Sequence, residues 1–151
     1  MYNIKFIKSS DNEFEFVKRI RTAVFTNEQG ANALTEFDDY DNKADFALLF
    51  DSDKPVGTAR VVRLDKGFKI GRIAVLKEYR GKGYGVVIVR AVLEKAFEKG
   101  TDAVYVDAQN YAVPFYEKIG FKVIGDEITD RGLPHIPMMI EKENDYVKKE
   151  K

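Results

Sequence analysis

The chain has 151 residues, the size of one domain, and is long enough to bury a core without disulfides or a structural metal. It contains no cysteine, which excludes thiolate nucleophiles, cysteine zinc sites and iron–sulfur clusters. Lysine plus arginine and aspartate plus glutamate both number 25, so no overall field draws the chain to nucleic acid or an anionic membrane.

Hydrophobic patterning favours one soluble domain over residues 1–151. No segment reaches the roughly 18 apolar residues that span a bilayer, and acidic residues follow the N-terminus at once, so we expect a cytoplasmic protein. Alternation predicts a strand over residues 2–8, and a helical pattern follows from about 11 to 25. Three more strands are predicted at 46–51, 55–64 and 68–76, the last two joined by a short turn through 65–67.

The second half alternates between helices and strands. A long amphipathic helix is predicted over 86–99 and ends at Gly100, a residue typical of helix C-termini. A strand at 103–108, a helix at 111–119, a strand at 121–125 and a last strand at 136–142 complete the chain. Interleaved helices and strands predict a mixed-sheet α/β or α+β fold.

A glycine-rich run precedes the long helix. The first backbone N–H groups of a helix lack intrahelical partners and carry partial positive charge, so they bind anions. Glycines leave those amides accessible, and an arginine and a lysine add positive charge. We therefore predict that the phosphates of a cofactor bind Arg80, Gly81, Lys82, Gly83, Tyr84 and Gly85. The alternative is a plain tight turn with solvated basic side chains.

The spacing narrows the ligand class. The dinucleotide motif G-x-G-x-x-G would need glycine at Val86 or Ile88, and no Gly-Lys pair is followed by Ser or Thr as in a Walker motif. The remaining pattern, R-x-x-G-x-G at the start of a helix, resembles the [QR]-x-x-G-x-[GA] loop that binds the acetyl-CoA pyrophosphate in GCN5-related N-acetyltransferases (GNATs).

Three other segments extend this resemblance over nearly the whole chain. Residues 112–121 (AVPFYEKIGF) are similar to the GNAT segment A-x-x-F-Y-x-x-x-G-F. Residues 21–29 with the acidic run 36–41 resemble the R-x-x-V-F-x-x-E-Q…E-x-D-x-x-D signature of a bacterial branch, and 132–138 (GLPHIPM) resembles its G-x-P-H-x-x-M ending. The resemblance implies a GNAT-like acyl-CoA N-acyltransferase fold, with a twisted mixed sheet flanked by helices. It also implies acetyl-CoA as cosubstrate and no metal.

The resemblance also implies where the thioester lies. Backbone N–H groups around Ile73, Ala74 and Val75 would bind the acetyl carbonyl, and Phe115 would lie beside the cofactor. Gln109 stands where the wider family often has an asparagine that bonds the cofactor, so it is a candidate with a longer reach.

Three residues are candidates for proton transfer. Tyr116 is predicted to protonate the leaving thiolate, because a phenol keeps its proton at neutral pH; the alternative is simple packing beside Phe115 and Phe121. His135, the single histidine, is a candidate general base, and Glu28 competes for that role. The alternative for His135 is a surface or structural histidine in a loop.

The charged residues that could bind the acceptor amine have opposite signs, so they do not identify the acceptor. Arg72 and Arg21 are candidates for substrate binding, with surface ion pairs as the alternative. The acidic run of Glu36, Asp38, Asp39 and Asp41 would attract a cationic amine, but a solvated loop or helix cap is favoured for its aspartates, and its spacing is a weak metal signal.

The predicted function is transfer of acetyl from acetyl-CoA to a primary amine of a small molecule by direct attack in a ternary complex. A protein lysine as acceptor and a non-catalytic CoA- or nucleotide-responsive module are the alternatives. No nucleic-acid or membrane partner is expected. A homodimer is left open, because strands rich in Phe and Tyr could pair across an interface.

Overall fold

The computed structural model describes residues 1–30, 37–65, 67–130 and 132–142. Within these ranges the strands are β1 (Tyr2–Ile7), β2 (Asp45–Asp51), β3 (Lys54–Leu64), β4 (Gly67–Val75), β5 (Ala103–Gln109), β6 (Lys122–Val123), β7 (Ile128–Asp130) and β8 (Leu133–Glu141). The α-helices are α1 (Phe14–Arg21), α2 (Tyr84–Glu98) and α3 (Val113–Ile119). A π-helix, Thr22–Glu28, continues α1, and short 3-10 helices lie at Asp39–Asn42, Lys77–Tyr79 and Asn110–Ala112. The predicted mixed α/β class is confirmed.

All eight described strands belong to one sheet, in the order β1-β2-β3-β4-β5-β8-β6, with β7 also paired to β8. Neighbouring strands are antiparallel except β4 and β5, which are parallel. The β4–β5 ladder ends at the pair Ile70–Val106, although β4 continues to Val75 and β5 to Gln109. The ends of these two central strands are therefore not paired with each other.

A β-bulge lies in β4 at this point. Thr58 of β3 pairs with Ala74 and Arg60 pairs with Gly71, so β4 has one residue more than β3 between the two pairs. Within the bulge Arg72 has a φ of 50°, a left-handed conformation that is uncommon outside glycine. Bulges redirect side chains and end strand pairing. The bulge thus coincides with the place where β4 and β5 part.

Two apolar clusters pack on the sheet. One joins α2, through Ile88, Val89 and Val92, to sheet residues such as Ile70 and Val104. The other joins α1 to the sheet, with Val17 and Ile20 packed among Phe46, Leu48 and Val62. The amphipathic patterns of both helices therefore bury the faces that they predict.

Several predicted boundaries are wrong. The helix predicted over 11–25 is an α-helix that changes to a π-helix at Thr22, and the long helix begins at Tyr84 rather than at Val86. The strand predicted over 121–125 shortens to Lys122–Val123, and β7 was not predicted. The last strand begins at Leu133, so His135 lies in a strand and not in a loop. In the predicted turn, Lys66 lies outside the described residues.

None of the described helices combines the length and the apolar character that a membrane crossing requires.

Candidate active site

A cavity of about 470 Å³, here called the glycine-loop cavity, lies between the end of β4 and the start of α2. The sequence-predicted residues that line it are Ile73, Ala74, Val75, Arg80, Gly81, Gly83, Tyr84, Gly85, Phe115 and Tyr116. The structure thus brings together most of the residues predicted to bind the cofactor. Lys82 lies within the same loop, and Gln109 lines a neighbouring cavity.

The loop conformation requires glycine at two positions. Gly81 and Gly83 have φ values of 84° and 81°, which L-amino acids rarely adopt. A Cβ at either position would meet no atom within 4 Å, so backbone conformation rather than crowding selects glycine. Gly83 caps α2 without a side-chain hydrogen bond, and the first-turn amides therefore remain available for an anion.

The charged side chains of the loop have partners within the protein. Lys82 Nζ lies 3.7 Å from Asp51 Oδ2. The Tyr84 hydroxyl donates a 2.7 Å hydrogen bond to the same carboxylate, and this bond raises the pKa of Tyr84. Arg80 donates from both terminal nitrogens to Glu28, at 2.9 Å each, and from Nε to the Val75 carbonyl at 2.9 Å.

A small cavity of about 70 Å³ adjoins the glycine-loop cavity, and the two share Ile73, Tyr111, Ala112 and Tyr116 in their walls. We call it the central cavity. His135, Gln109, Asp107 and Arg72 also line it. It lies where β4 and β5 part, so the unpaired ends of these strands leave room for it.

Tyr116 and His135 are both buried in the wall of the central cavity, with exposures of 6% and 2%. The Tyr116 ring packs edge-on against Phe115 and Phe121, and burial raises its pKa well above the ordinary value. His135 Nδ1 lies 2.9 Å from the Leu133 carbonyl oxygen. In the neutral imidazole Nδ1 then carries the hydrogen, and Nε2 is the nitrogen that can accept a proton.

A third cavity of about 240 Å³ shares Gly71, Arg72 and Asp107 with the central cavity. We call it the charged cavity, because its walls include Asp38, Arg60, Lys69, Arg72, Asp107 and Asp130. The central cavity therefore lies between the other two and shares wall residues with each of them.

Asp38 organises the wall of the charged cavity. It accepts hydrogen bonds from Arg60 at 2.7 and 3.0 Å and from Arg72 at 3.1 Å. Burial by itself would raise the pKa of Asp38, but the hydrogen bond from Arg60 and the charges of Arg60, Arg72 and Arg21 together hold the pKa below its ordinary value. Lys69 pairs with Asp107 on the neighbouring strand.

Arg21 is fully buried and donates to Asp41 at 2.9 and 3.2 Å. Asp41 also accepts from Arg60 at 2.8 Å, so Arg21 joins the network behind the charged cavity. Arg21 therefore belongs to a buried ion-pair network that supports the fold. Its role in substrate binding stays a prediction.

The acidic run 36–41 was interpreted as a solvated loop or helix cap, and the structure bears out the cap. Asp38 caps the 3-10 helix Asp39–Asn42 by accepting from the Tyr40 amide, so the predicted cap is confirmed. The other alternative, a solvated loop, does not describe Asp38 and Asp41, because arginines bind both carboxylates. Glu36 lies outside the described residues.

Comparison with known proteins identifies the family. A family model described as an acetyltransferase (GNAT) domain matches residues 8–142. The chain belongs to the GNAT family. The uncharacterised N-acetyltransferase YjcF of Bacillus subtilis is 35% identical over 134 residues, which cover 88% of this chain and 96% of YjcF.

Solved structures agree with this family. Escherichia coli ElaA is 27% identical with a TM-score of 0.83, and the match covers 93% of this GNAT and 100% of ElaA. An acyl-CoA N-acyltransferase from Pseudomonas aeruginosa, 21% identical, shares the fold with a TM-score of 0.81 over 93% of this chain and 99% of its own. This GNAT is therefore an acyl-CoA-dependent N-acetyltransferase, as the sequence motifs implied.

The sequence analysis of this GNAT did not predict two residues that line the cavities, Gln29 and Asp107. Gln109 Nε2 donates to Gln29 Oε1 at 2.7 Å, and Gln29 Nε2 donates to the Tyr111 hydroxyl at 3.0 Å, which links the end of the π-helix to the end of β5. Gln29 belongs to the quoted E-Q motif, which was a usable signal. Asp107 gave a weaker signal, as the single charged residue of β5.

Among the residues that the structure describes, no group of three or more His, Asp or Glu side chains is arranged to hold a metal ion.

Proposed function

We propose that this GNAT transfers an acetyl group from acetyl-CoA to a primary amine of a small molecule by direct attack in a ternary complex. One observation carries the proposal: Tyr116 lines both the glycine-loop cavity and the central cavity, and His135 lines the latter. A thioester beside Tyr116 would therefore face an amine beside His135.

The cofactor would bind along the glycine-loop cavity. The amides at the start of α2 and the nearby Lys82 would bind the pyrophosphate, and Phe115 in the cavity wall would lie beside the pantetheine. Backbone N–H groups of residues 73–75 bind the acetyl oxygen. The end of the β4–β5 ladder at Ile70 supports this assignment, because β5 does not occupy that edge of β4 further along.

The proton transfers follow from the two buried side chains. His135 Nε2 accepts a proton from the attacking nitrogen, whose lone pair forms the new C–N bond to the carbonyl carbon. The C–S bond breaks with its electron pair on sulfur. The Tyr116 hydroxyl donates a hydrogen bond and then its proton to the thiolate, and the proton taken up by His135 returns to the phenolate through solvent. Burial raises the pKa of Tyr116, so the form that meets the sulfur is the phenol and the phenolate is short-lived.

The acceptor would enter through the charged cavity, which shares its inner wall with the central cavity. Arg72, redirected by the β4 bulge, donates to Asp38 at 3.1 Å and would exchange this bond for one to an anionic group of the acceptor, because guanidinium forks suit carboxylates and phosphates. An amine with an anionic substituent is thus our preferred acceptor. A homodimer and a cytoplasmic location stay predictions.

Thiol release from acetyl-CoA across a panel of amines tests the proposal. The panel pairs each amino acid with the corresponding decarboxylated amine and includes a lysine-containing peptide. Turnover of small amines supports the proposal, and turnover of the peptide alone would favour a protein lysine. Calorimetric binding of CoA without any turnover would favour the non-catalytic module, and no binding at all would overturn both.

A further inference from the structure

We propose that Glu28 and Arg80 form a positioning pair that holds the wall of the glycine-loop cavity against the end of β4. The inference rests on the proposed function. It assigns neither the general base to Glu28 nor direct binding of the pyrophosphate to Arg80.

The geometry of the pair is bidentate. Arg80 Nη1 lies 2.9 Å from Glu28 Oε2, and Nη2 lies 2.9 Å from Oε1. Parallel bonds of this kind fix orientation as well as distance. Arg80 Nε adds a 2.9 Å bond to the Val75 carbonyl. One guanidinium thus joins the last residue of the π-helix, the last residue of β4 and the beginning of the glycine loop.

These bonds leave little of the guanidinium for a phosphate. An arginine has five N–H donors, and the fork formed by its two terminal nitrogens is the edge that binds phosphate oxygens bidentately. In this chain Glu28 occupies that edge, and the Val75 carbonyl occupies Nε. A pyrophosphate would have to displace Glu28, whereas the amides at the start of α2 are available without such an exchange, and Lys82 makes a looser contact with Asp51, at 3.7 Å.

The elements that the pair joins carry the walls of the site. The π-helix contributes Val24 to the glycine-loop cavity and Phe25 to the central cavity. Val75 belongs to the strand segment proposed to bind the acetyl group. Loss of the pair would therefore displace the acetyl group relative to the acceptor, whether or not the cofactor carries a pyrophosphate.

The pair is accessible enough to be changed without unfolding the chain. The side chains of Arg80 and Glu28 are 44% and 33% exposed. Exposed ion pairs contribute little to global stability, so the variants Arg80→Gln and Glu28→Gln should fold. Circular dichroism and thermal unfolding verify this before the kinetic comparison.

The decisive experiment compares acetyl-CoA with S-acetylpantetheine, which carries the same thioester but no pyrophosphate. For Arg80→Gln and Glu28→Gln we expect kcat/KM to fall about tenfold for both substrates, as expected when reacting groups lose alignment. Lys82→Gln is the matched control, and it should reduce kcat/KM for acetyl-CoA alone. A loss in Arg80→Gln that is confined to acetyl-CoA would show that Arg80 binds phosphate and would overturn the proposal.

Two further measurements separate the remaining roles of Glu28. The pH profile of kcat/KM should keep its acidic limb in Glu28→Gln, and disappearance of that limb would make Glu28 the base. The double variant Glu28→Arg/Arg80→Glu should recover activity relative to either single charge reversal, and additive losses would contradict a pair.

Affinities measured by calorimetry for CoA and for pantetheine also compare a ligand that carries the pyrophosphate with one that lacks it, and they require no turnover. Both affinities should fall together in Arg80→Gln, even in a chain that acetylates no amine. Failure of the positioning pair is therefore distinguishable from failure of the proposed reaction.

Discussion

His135 lies directly opposite Gln109 in the β5–β8 ladder, and Tyr116 follows Gln109 by way of a short 3-10 helix and the first turns of α3. Register and connection therefore bring His135 and Tyr116 to the same end of β5, where both line the central cavity. One strand pairing thus brings together the proposed acid and the proposed base, which are distant along the chain.

Tyr116→Phe tests the leaving-group acid. The ring and its packing against Phe115 and Phe121 are retained, whereas the hydroxyl is lost. We expect kcat to fall by about 10²-fold, within the usual range for a general acid, with KM for acetyl-CoA nearly unchanged. Steady-state kinetics with Tyr105→Phe as control measures this. An unchanged kcat would leave Tyr116 a packing residue only.

The alkaline side of the profile provides a second test of Tyr116. Burial raises the pKa of this phenol, so it keeps its proton through and beyond the pH at which an exposed tyrosine ionises, near ~10. The same shift stabilises the fold below that pH, and the contribution is lost as the pH rises through the folded pKa. Ionisation seen by absorbance near pH 10 for Tyr116 in the folded protein would contradict the assignment.

His135→Ala tests the general base. A protonated imidazole cannot accept the amine proton, so kcat/KM of the native protein should fall on acidification, and the variant should lose that limb. Added imidazole should restore part of the activity if the cavity admits it. The acceptor should be an amine that is largely neutral over the whole range. A variant with the native pH profile would remove His135 from proton transfer.

Gly83→Val tests the phosphate-binding loop. A side chain at a φ of 81° is strained and would cover the amides at the start of α2, so we expect CoA affinity to fall at least tenfold. Gly100→Val is the matched control, because Gly100 has a φ of 99° at the other end of α2. Calorimetry on both variants separates backbone strain from cofactor binding. Native CoA affinity in Gly83→Val would refute the loop assignment.

Asp38→Asn tests the electrostatics of the charged cavity. The folded pKa of Asp38 is lowered, so its carboxylate stabilises the fold above the unfolded pKa of about 3.9, and this contribution is lost as the pH falls through the folded value. Asparagine keeps the helix cap and removes the charge. Urea unfolding should show a deficit at pH 7 that shrinks near pH 2. Exposed Asp39→Asn should show neither, and a deficit independent of pH would exclude the charge as its cause.

The secondary structure and the glycine loop could be predicted from the sequence. Alternation and helical spacing predicted most strands and all three α-helices, because these patterns report which side chains face an apolar layer. The glycine loop could also be predicted, because Gly81 and Gly83 adopt a left-handed φ that glycine reaches without strain. These features depend on neighbours within one turn or strand.

Tertiary structure decided the rest. Prolines at 134 and 137 obscured the beginning of β8, and only pairing with β5 and β7 makes that segment a strand and buries His135. The carboxylate partners of Arg80 and Arg21, Glu28 and Asp41, lie 52 and 20 positions away along the chain. Whether a charged side chain faces a ligand, another charge or water depends on such distant partners, because Coulomb forces and desolvation act through space rather than along the sequence.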